Sequence, residues 1–338
     1  MLIDYRSDTV TKPTAAMHQA MSEAAVGDDV FGEDPSVNTL EEQSAEMFGM
    51  EAALYCPSGT MTNQIAIKAH TQPGDEVICD TTAHIYQYEG GGIASNSGAS
   101  VKLLPGNRGR LTAQQVQEGI NANDVHKANT SLVCLENTSN RGGGSCYDLQ
   151  EIREIRLLCD SQNLKLHLDG ARLFNALVAK KQSAHEHGTL FHSISICLSK
   201  SLGCPVGSVL LGTHEFIRKS RRIRKAFGGG MRQAGFVAAA GVYALQHHIE
   251  RLSEDHHHAE LIATCLQDKS FVSAVLPVET NIIIFHVAPP HTPQTLVARL
   301  KEEGILGYAI SPTQVRLVLH LDITPDMVEQ TIQTLNRL

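Results

Sequence analysis

The sequence has no tryptophan and only 7 tyrosines and 9 phenylalanines in 338 residues, an aromatic share of 5%. So few rings exclude a core built mainly on aromatic stacking, and packing falls to aliphatic side chains. Excess positive charge is missing too. Against 36 acidic residues stand 28 lysines and arginines, a formal charge of −8, which argues against general attraction to nucleic acid or anionic membrane. No apolar run approaches the roughly 20 residues needed to cross a bilayer. The opening stretch, Met1-Leu-Ile-Asp-Tyr-Arg-Ser-Asp8, lacks the basic start and apolar core of a signal peptide, so a soluble cytoplasmic protein is expected. The eight cysteines show no paired spacing. Cys56, Cys79, Cys134 and Cys197 lie in apolar, strand-like runs, which suits small buried residues of a reducing compartment and not a disulfide frame or zinc site. There is no internal repeat and no low-complexity segment.

What is present is alternation. The first thirty-five residues are rich in Asp, Gly, Thr and Pro and show little apolar periodicity, so Asp28, Asp29, Glu33 and Asp34 form either a solvated loop or a clamp. From Ser36 the spacing predicts helices over Asn38 to Gly49, Thr60 to His70, Asp148 to Gln162 and Ala171 to Lys180. Short apolar strands fall at Ala52 to Cys56, Glu76 to Asp80, Val101 to Leu104, Leu132 to Glu136, Lys165 to Asp169, Ser193 to Ser199 and Val206 to Gly212. Such a sequence predicts an α/β fold with a mainly parallel sheet covered on both faces, whose sites gather at the carboxyl ends of the strands. Arg232 to Leu266 reads as one or two long helices. Beyond it, strands at Asn281 to Val287 and Gln314 to Leu319 and helices at Pro293 to Glu303 and Thr324 to Arg337 make a smaller α/β domain. The boundary is placed near residue 245, giving domains of 1–245 and 246–338.

Lys200 closes an apolar run in which Ile194, Ile196 and Leu198 alternate with Ser193, Ser195 and Cys197. Either its ammonium reaches solvent, or it is desolvated and so becomes a usable amine nucleophile. Asp169 ends another strand about thirty residues earlier. A carboxylate there suits a cofactor with a ring nitrogen that must stay protonated, which pyridoxal phosphate has; the same aspartate could also cap the helix starting at Ala171. Pro57-Ser58-Gly59-Thr60 joins a strand to a helix, and its amides and helix dipole suit a phosphate monoester. Arg316 interrupts an apolar strand and requires a partner unless that strand is an exposed edge. Arg218 to Lys225 holds six basic residues in eight, a solvated helix face or a patch on the phosphate side. His256-His-His258 points around a helix and cannot converge on one ion, so no metal is expected.

Six stretches carry a resemblance: Arg6-Ser-Asp-Thr-Val-Thr-Lys-Pro13, Val26-Gly-Asp-Asp-Val-Phe-Gly-Glu-Asp-Pro35, Leu135-Glu-Asn-Thr138, His167-Leu-Asp-Gly-Ala-Arg172, Cys197-Leu-Ser-Lys200 and Gly228-Gly-Gly-Met-Arg-Gln233. In this order the set closely resembles the low-specificity L-threonine aldolases. The resemblance implies the aspartate-aminotransferase-like fold, with a large pyridoxal-phosphate domain on a seven-stranded sheet and a small C-terminal domain. It implies cleavage of L-threonine, L-allo-threonine and related β-hydroxy-α-amino acids to glycine and an aldehyde. Lys200 would hold the cofactor and Asp169 its ring nitrogen. Gly59 and Thr60 would take the phosphate, with Arg232 near it. His84 would stack on the ring, Arg172 would also border the cofactor, His126 would lie near the substrate β-hydroxyl, and His84 or His126 would be the base. Ser7, Arg172 and Arg316 would hold the substrate carboxylate. A homotetramer, a dimer of dimers with shared sites, is implied, with a small amino acid as partner and neither nucleic acid nor membrane. The rivals are β-elimination or transamination with the same cofactor, and a non-catalytic binding protein. The chain departs from the family at Ser139, at Arg141-Gly-Gly-Gly-Ser145 and at Ser201, which puts the preferred β-substituent in question.

Overall fold

Strands and helices alternate along the computed structural model, which describes residues 2–338. The strands are β1 (Ile3–Asp4), β2 (Ala52–Cys56), β3 (Asp75–Asp80), β4 (Ser100–Leu104), β5 (Asn129–Glu136), β6 (Lys165–Gly170), β7 (Ser193–Cys197), β8 (Ser208–Gly212), β9 (Val272–Val275), β10 (Ile282–Val287), β11 (Ile305–Leu306), β12 (Tyr308–Ala309) and β13 (Gln314–Val318). The helices are α1 (Ala15–Ser22), α2 (Pro35–Phe48), α3 (Gly59–His70), α4 (His84–Gln87), α5 (Ala113–Gly119), α6 (Leu149–Ser161), α7 (Leu173–Lys180), α8 (Ala184–Leu190), α9 (His214–Ala226), α10 (Gly235–His247), α11 (Leu252–Gln267), α12 (Pro293–Glu302) and α13 (Pro325–Arg337).

Seven strands form the main sheet in the order β2-β8-β7-β6-β5-β3-β4. Every residue of β7 and β8 is buried, as expected of strands covered on both faces. The one reversal is β8, antiparallel to both β2 and β7. Only residues 198–207 separate β7 from β8, too few for the crossover that a parallel return needs. Lys200 therefore rides on a tight connection, closed by hydrogen bonds from the Gly203 N–H to the Lys200 carbonyl (2.8 Å) and from the Leu198 N–H to the Gly207 carbonyl (3.0 Å). Gly207 has φ +114°, and a Cβ there would come within 2.6 Å of the Tyr55 ring.

A second core gathers under the antiparallel sheet β12-β13-β10-β9, with Ile262, Leu266, Phe285, Leu300 and Leu335 among its buried residues. Ile3 and Tyr5 belong to this core: β1 pairs in parallel with β11, and the Tyr5 hydroxyl lies 2.9 Å from that of Thr331. The long helical stretch divides into α10 and α11, packed on the first and second core respectively.

The acidic N-terminal region is a clamp. Asp8, Asp29 and Asp34 are buried: Asp29 pairs with Arg224 at 2.7 Å, and Asp34 caps α2 and accepts the Gly235 N–H at 2.8 Å. The basic run on α9 supplies part of the grip, since Arg221 pairs with Glu41 and Arg224 is 3% exposed. It is not a wholly solvated face.

Candidate active site

Because β2, β3, β5, β6 and β7 point the same way, the segments that follow them meet at one edge of the sheet. Asp169 is the last residue but one of β6 and lies there at 2% exposure. Its Oδ1 accepts the Ala171 N–H (3.1 Å) and its Oδ2 accepts from Asn63 Nδ2 (3.0 Å). It closes this turn and does not cap α7, whose N-cap residue is Arg172. Among the described residues it has no ion-pair partner, so a buried carboxylate is left facing a site that a protonated ring nitrogen would satisfy. His84 begins α4 just after β3. Its N–H donates to Glu136 Oε2 (2.9 Å), and its Nδ1 lies 3.2 Å from Glu89 Oε1. Burial works against the charged imidazole, but the Glu89 hydrogen bond and the Asp169 field outweigh it, and the His84 pKa rises above its ordinary value. The field of Lys200 acts on His84 as well, which puts lysine, histidine and aspartate in one cluster.

A second layer holds these groups. Asn63 Nδ2 donates to both Asp169 and Glu89, and its Oδ1 lies 3.2 Å from His167 Nε2. Gln64 Nε2 donates to Glu89 at 2.6 Å. Burial pushes His167 down to about 4, so at neutral pH it is an uncharged prop for Asn63. Glu136, opposite Asp169 in the β5–β6 register, is pushed up to about 7 by burial and by the Asp169 charge.

The cationic side is built from the N-terminal segment. Arg172 gives Nε (2.6 Å) and Nη2 (2.8 Å) to Asp8, leaving Nη1 and the second Nη2 hydrogen for a ligand. Burial opposes the Asp8 charge, yet Arg172 and Lys200 hold this carboxyl well below the usual range. Arg316 donates to Asn140 Oδ1 (2.8 Å) and to the Arg6 carbonyl (3.0 Å), while its buried Nε has no partner among the described residues. Burial and then Arg172 bring Arg316 down to about 10. Ser7 lies between Arg6 and Asp8; its Oγ accepts the Thr9 N–H (3.2 Å).

Gly59 and Thr60 open α3, and the Ser58 side chain takes the Met61 N–H, so the first two amides of the helix have no acceptor among the described residues. Beneath Gly59 the Ser208 hydroxyl is buried and, among the described residues, unpartnered. With Lys200, Asp169 and this turn at one edge, the donor set fits pyridoxal phosphate.

Two expected residues stand elsewhere. His126 lies three residues before β5, at the amino edge of the sheet, roughly 25 Å of strand from the carboxyl edge. Its side chain is 87% exposed and bonds Asp124 at 2.8 Å. The connection into a parallel strand enters at the opposite edge, so within one chain His126 stands apart from the Lys200–His84–Asp169 cluster. Arg232 pairs with Asp28 at 2.9 Å and, within this chain, makes no hydrogen bond to the Ser58–Thr60 turn.

The model of the β-eliminating lyase family matches residues 4–289. The chain belongs to that family. Within it, this sequence is 41% identical over 330 residues to the low specificity L-threonine aldolase of Escherichia coli K12, covering 97% of both chains. It is 40% identical to low-specificity L-threonine aldolase 1 of Arabidopsis thaliana, covering 98% of this chain and 94% of that one. A Leishmania major threonine aldolase structure superposes with a TM-score of 0.88 at 20% identity, over 99% of both chains, which shows the shared fold.

Against the family pattern, the residues that the motifs did not point to are Asp8, Asn63, Glu89 and Glu136. Asp8 and Glu136 lie inside quoted motifs, but nothing in spacing says which arginine or histidine they meet. Asn63 sits four residues beyond Gly59 on α3, facing the same way as the helix start, which is the one signal that could have found it.

Proposed function

We propose that this chain is a pyridoxal-phosphate-dependent aldehyde-lyase that cleaves L-threonine, L-allo-threonine and related L-β-hydroxy-α-amino acids to glycine and an aldehyde. The observation that carries the reading is the buried Asp169, without an ion-pair partner among the described residues, grouped with His84, on which Lys200 also acts. Lys200 would hold the cofactor covalently, Asp169 its protonated ring nitrogen, and Gly59 and Thr60 its phosphate. When bound, the cofactor accepts the electron pair released at Cα. Arg172 Nη1, Arg316 and Ser7 bind the α-carboxylate and so choose which Cα bond is presented for cleavage. His84, held by Glu89, takes the β-hydroxyl proton.

We place this machinery in a large domain ending near residue 245, with the small domain covering the cleft. We also assign the protein to the cytoplasm and to a homotetramer with shared sites, in which Arg232 serves a neighbouring phosphate turn. No helix among the described residues is long and apolar enough to cross a membrane.

The test is to supply pyridoxal phosphate, add L-threonine, and assay acetaldehyde, glycine, keto acid and ammonia, with Lys200→Ala alongside. Acetaldehyde and glycine in equal amounts, lost in the variant with the visible absorption band, are expected. Keto acid and ammonia would move the protein to β-elimination, and no visible band would remove the cofactor.

A further inference from the structure

Arg141 opens the Arg141-Gly-Gly-Gly-Ser145 stretch, and the structure sets it at the cationic side of the site. It is half-buried and, among the described residues, has no ion-pair partner. Its Nη1 donates to the Ile310 carbonyl at 3.1 Å, and its guanidinium stands 5.7 Å from the centroid of the Tyr88 ring. Tyr88 in turn packs on His84, with ring centroids 5.5 Å apart. Arg141 and Arg172 both act electrostatically on Arg316, so three guanidinium groups share one neighbourhood. Asp8 neutralises Arg172, and the substrate α-carboxylate is matched to Arg316. One cation is left over, on the Tyr88 ring that packs against the histidine assigned to the β-hydroxyl.

An unpaired guanidinium beside a binding cleft is a carboxylate receptor. We propose that Arg141 binds an anionic β-substituent, so that the enzyme also cleaves β-hydroxy-α-amino acids carrying a carboxylate on Cβ, 3-hydroxyaspartate being the simplest. This rests on the aldolase reading above and names a substrate class for the same site. His84 takes the β-hydroxyl proton and the Cα–Cβ bond breaks, its electron pair remaining with Cα. The Cβ fragment leaves as glyoxylate, and a proton returned to Cα completes glycine. Every atom of the substrate appears in the two products, and no oxidant or reductant is needed. The competing role for Arg141 is purely structural, a tie between Ile310 and the Tyr88 ring.

The experiment measures kcat/KM of the holoenzyme for the threo and erythro forms of L-3-hydroxyaspartate and for L-threonine, in the parent, Arg141→Gln and Arg141→Lys. Inhibition of threonine cleavage by L-aspartate, compared with L-alanine, gives a binding readout without turnover. The ratio of 3-hydroxyaspartate to threonine kcat/KM should fall about 10- to 100-fold in Arg141→Gln, mostly through KM, as expected for one charge-assisted contact. Arg141→Lys should recover part of it, and L-aspartate should lose its advantage over L-alanine in Arg141→Gln. Threonine cleaved without 3-hydroxyaspartate, or an unchanged ratio in Arg141→Gln, would overturn the assignment alone. Cleavage of neither would overturn the aldolase reading and this assignment with it.

Discussion

At the scale of single residues the site depends on carboxylates that set the charge of their neighbours. Glu89 is the clearest, because its buried carboxylate bonds Asn63, Gln64 and His84 at once. Glu89→Gln removes the charge that favours protonated His84, so the acid limb of the pH profile of kcat/KM should move to lower pH. The maximal rate should drop roughly ten- to a hundredfold, since a mispositioned base loses part of its contribution. A limb that stays in place would show that another group titrates there. Asp8 does the corresponding work for Arg172. Asp8→Asn keeps the shape but leaves a buried guanidinium without its anion, and should raise KM for L-threonine and cost about 3–5 kcal/mol of stability by urea titration.

At the scale of elements, two devices hold the machinery. One is the β7–β8 connection that carries Lys200. Gly207→Ala would force a Cβ against the Tyr55 ring at a positive φ, so it should lower stability by at least roughly 2 kcal/mol and weaken cofactor retention with it. A variant of unchanged melting temperature and full cofactor content would show that the connection has slack. The other is the grip of α9 on the N-terminal segment through Arg224 and Asp29, whose side chains are 4% and 2% exposed. Removing either charge alone should cost about 3–5 kcal/mol, while Asp29→Leu combined with Arg224→Met should restore much of that, because the pair itself adds little over packed apolar groups.

For the whole molecule, the buried charge at the sheet edge predicts a pH dependence. Glu136 titrates near 7 when folded, against 4.5 ordinarily. Between those values the folded state holds the proton that the unfolded chain has lost, so the contribution of this group to stability falls as pH rises from about 4.5 to about 7 and is level above. Urea midpoints of the parent and of Glu136→Gln, compared at pH 5 and pH 7.5, should differ in that direction: the parent loses more on going to pH 7.5. Parallel curves would mean that Glu136 is not the group that titrates.

Composition and periodicity were enough to determine the class of this protein, because alternating apolar runs and capped helices are local properties. The strand from Ala52 to Cys56 appears at those bounds, and most others differ by one to three residues. Lys200 and Asp169 were legible for a related reason: a charge closing an apolar strand is conspicuous in one dimension. Only the tertiary structure decided which charges meet. It set Asp8 on Arg172 across 164 positions and Glu89 on His84. It sent Ile3 and Tyr5 to the core of the far end of the chain, and set His126 at the amino edge of the sheet. Such pairings depend on strand order and direction, which a parallel sheet fixes through long connections. Nearest-neighbour pattern holds no record of them.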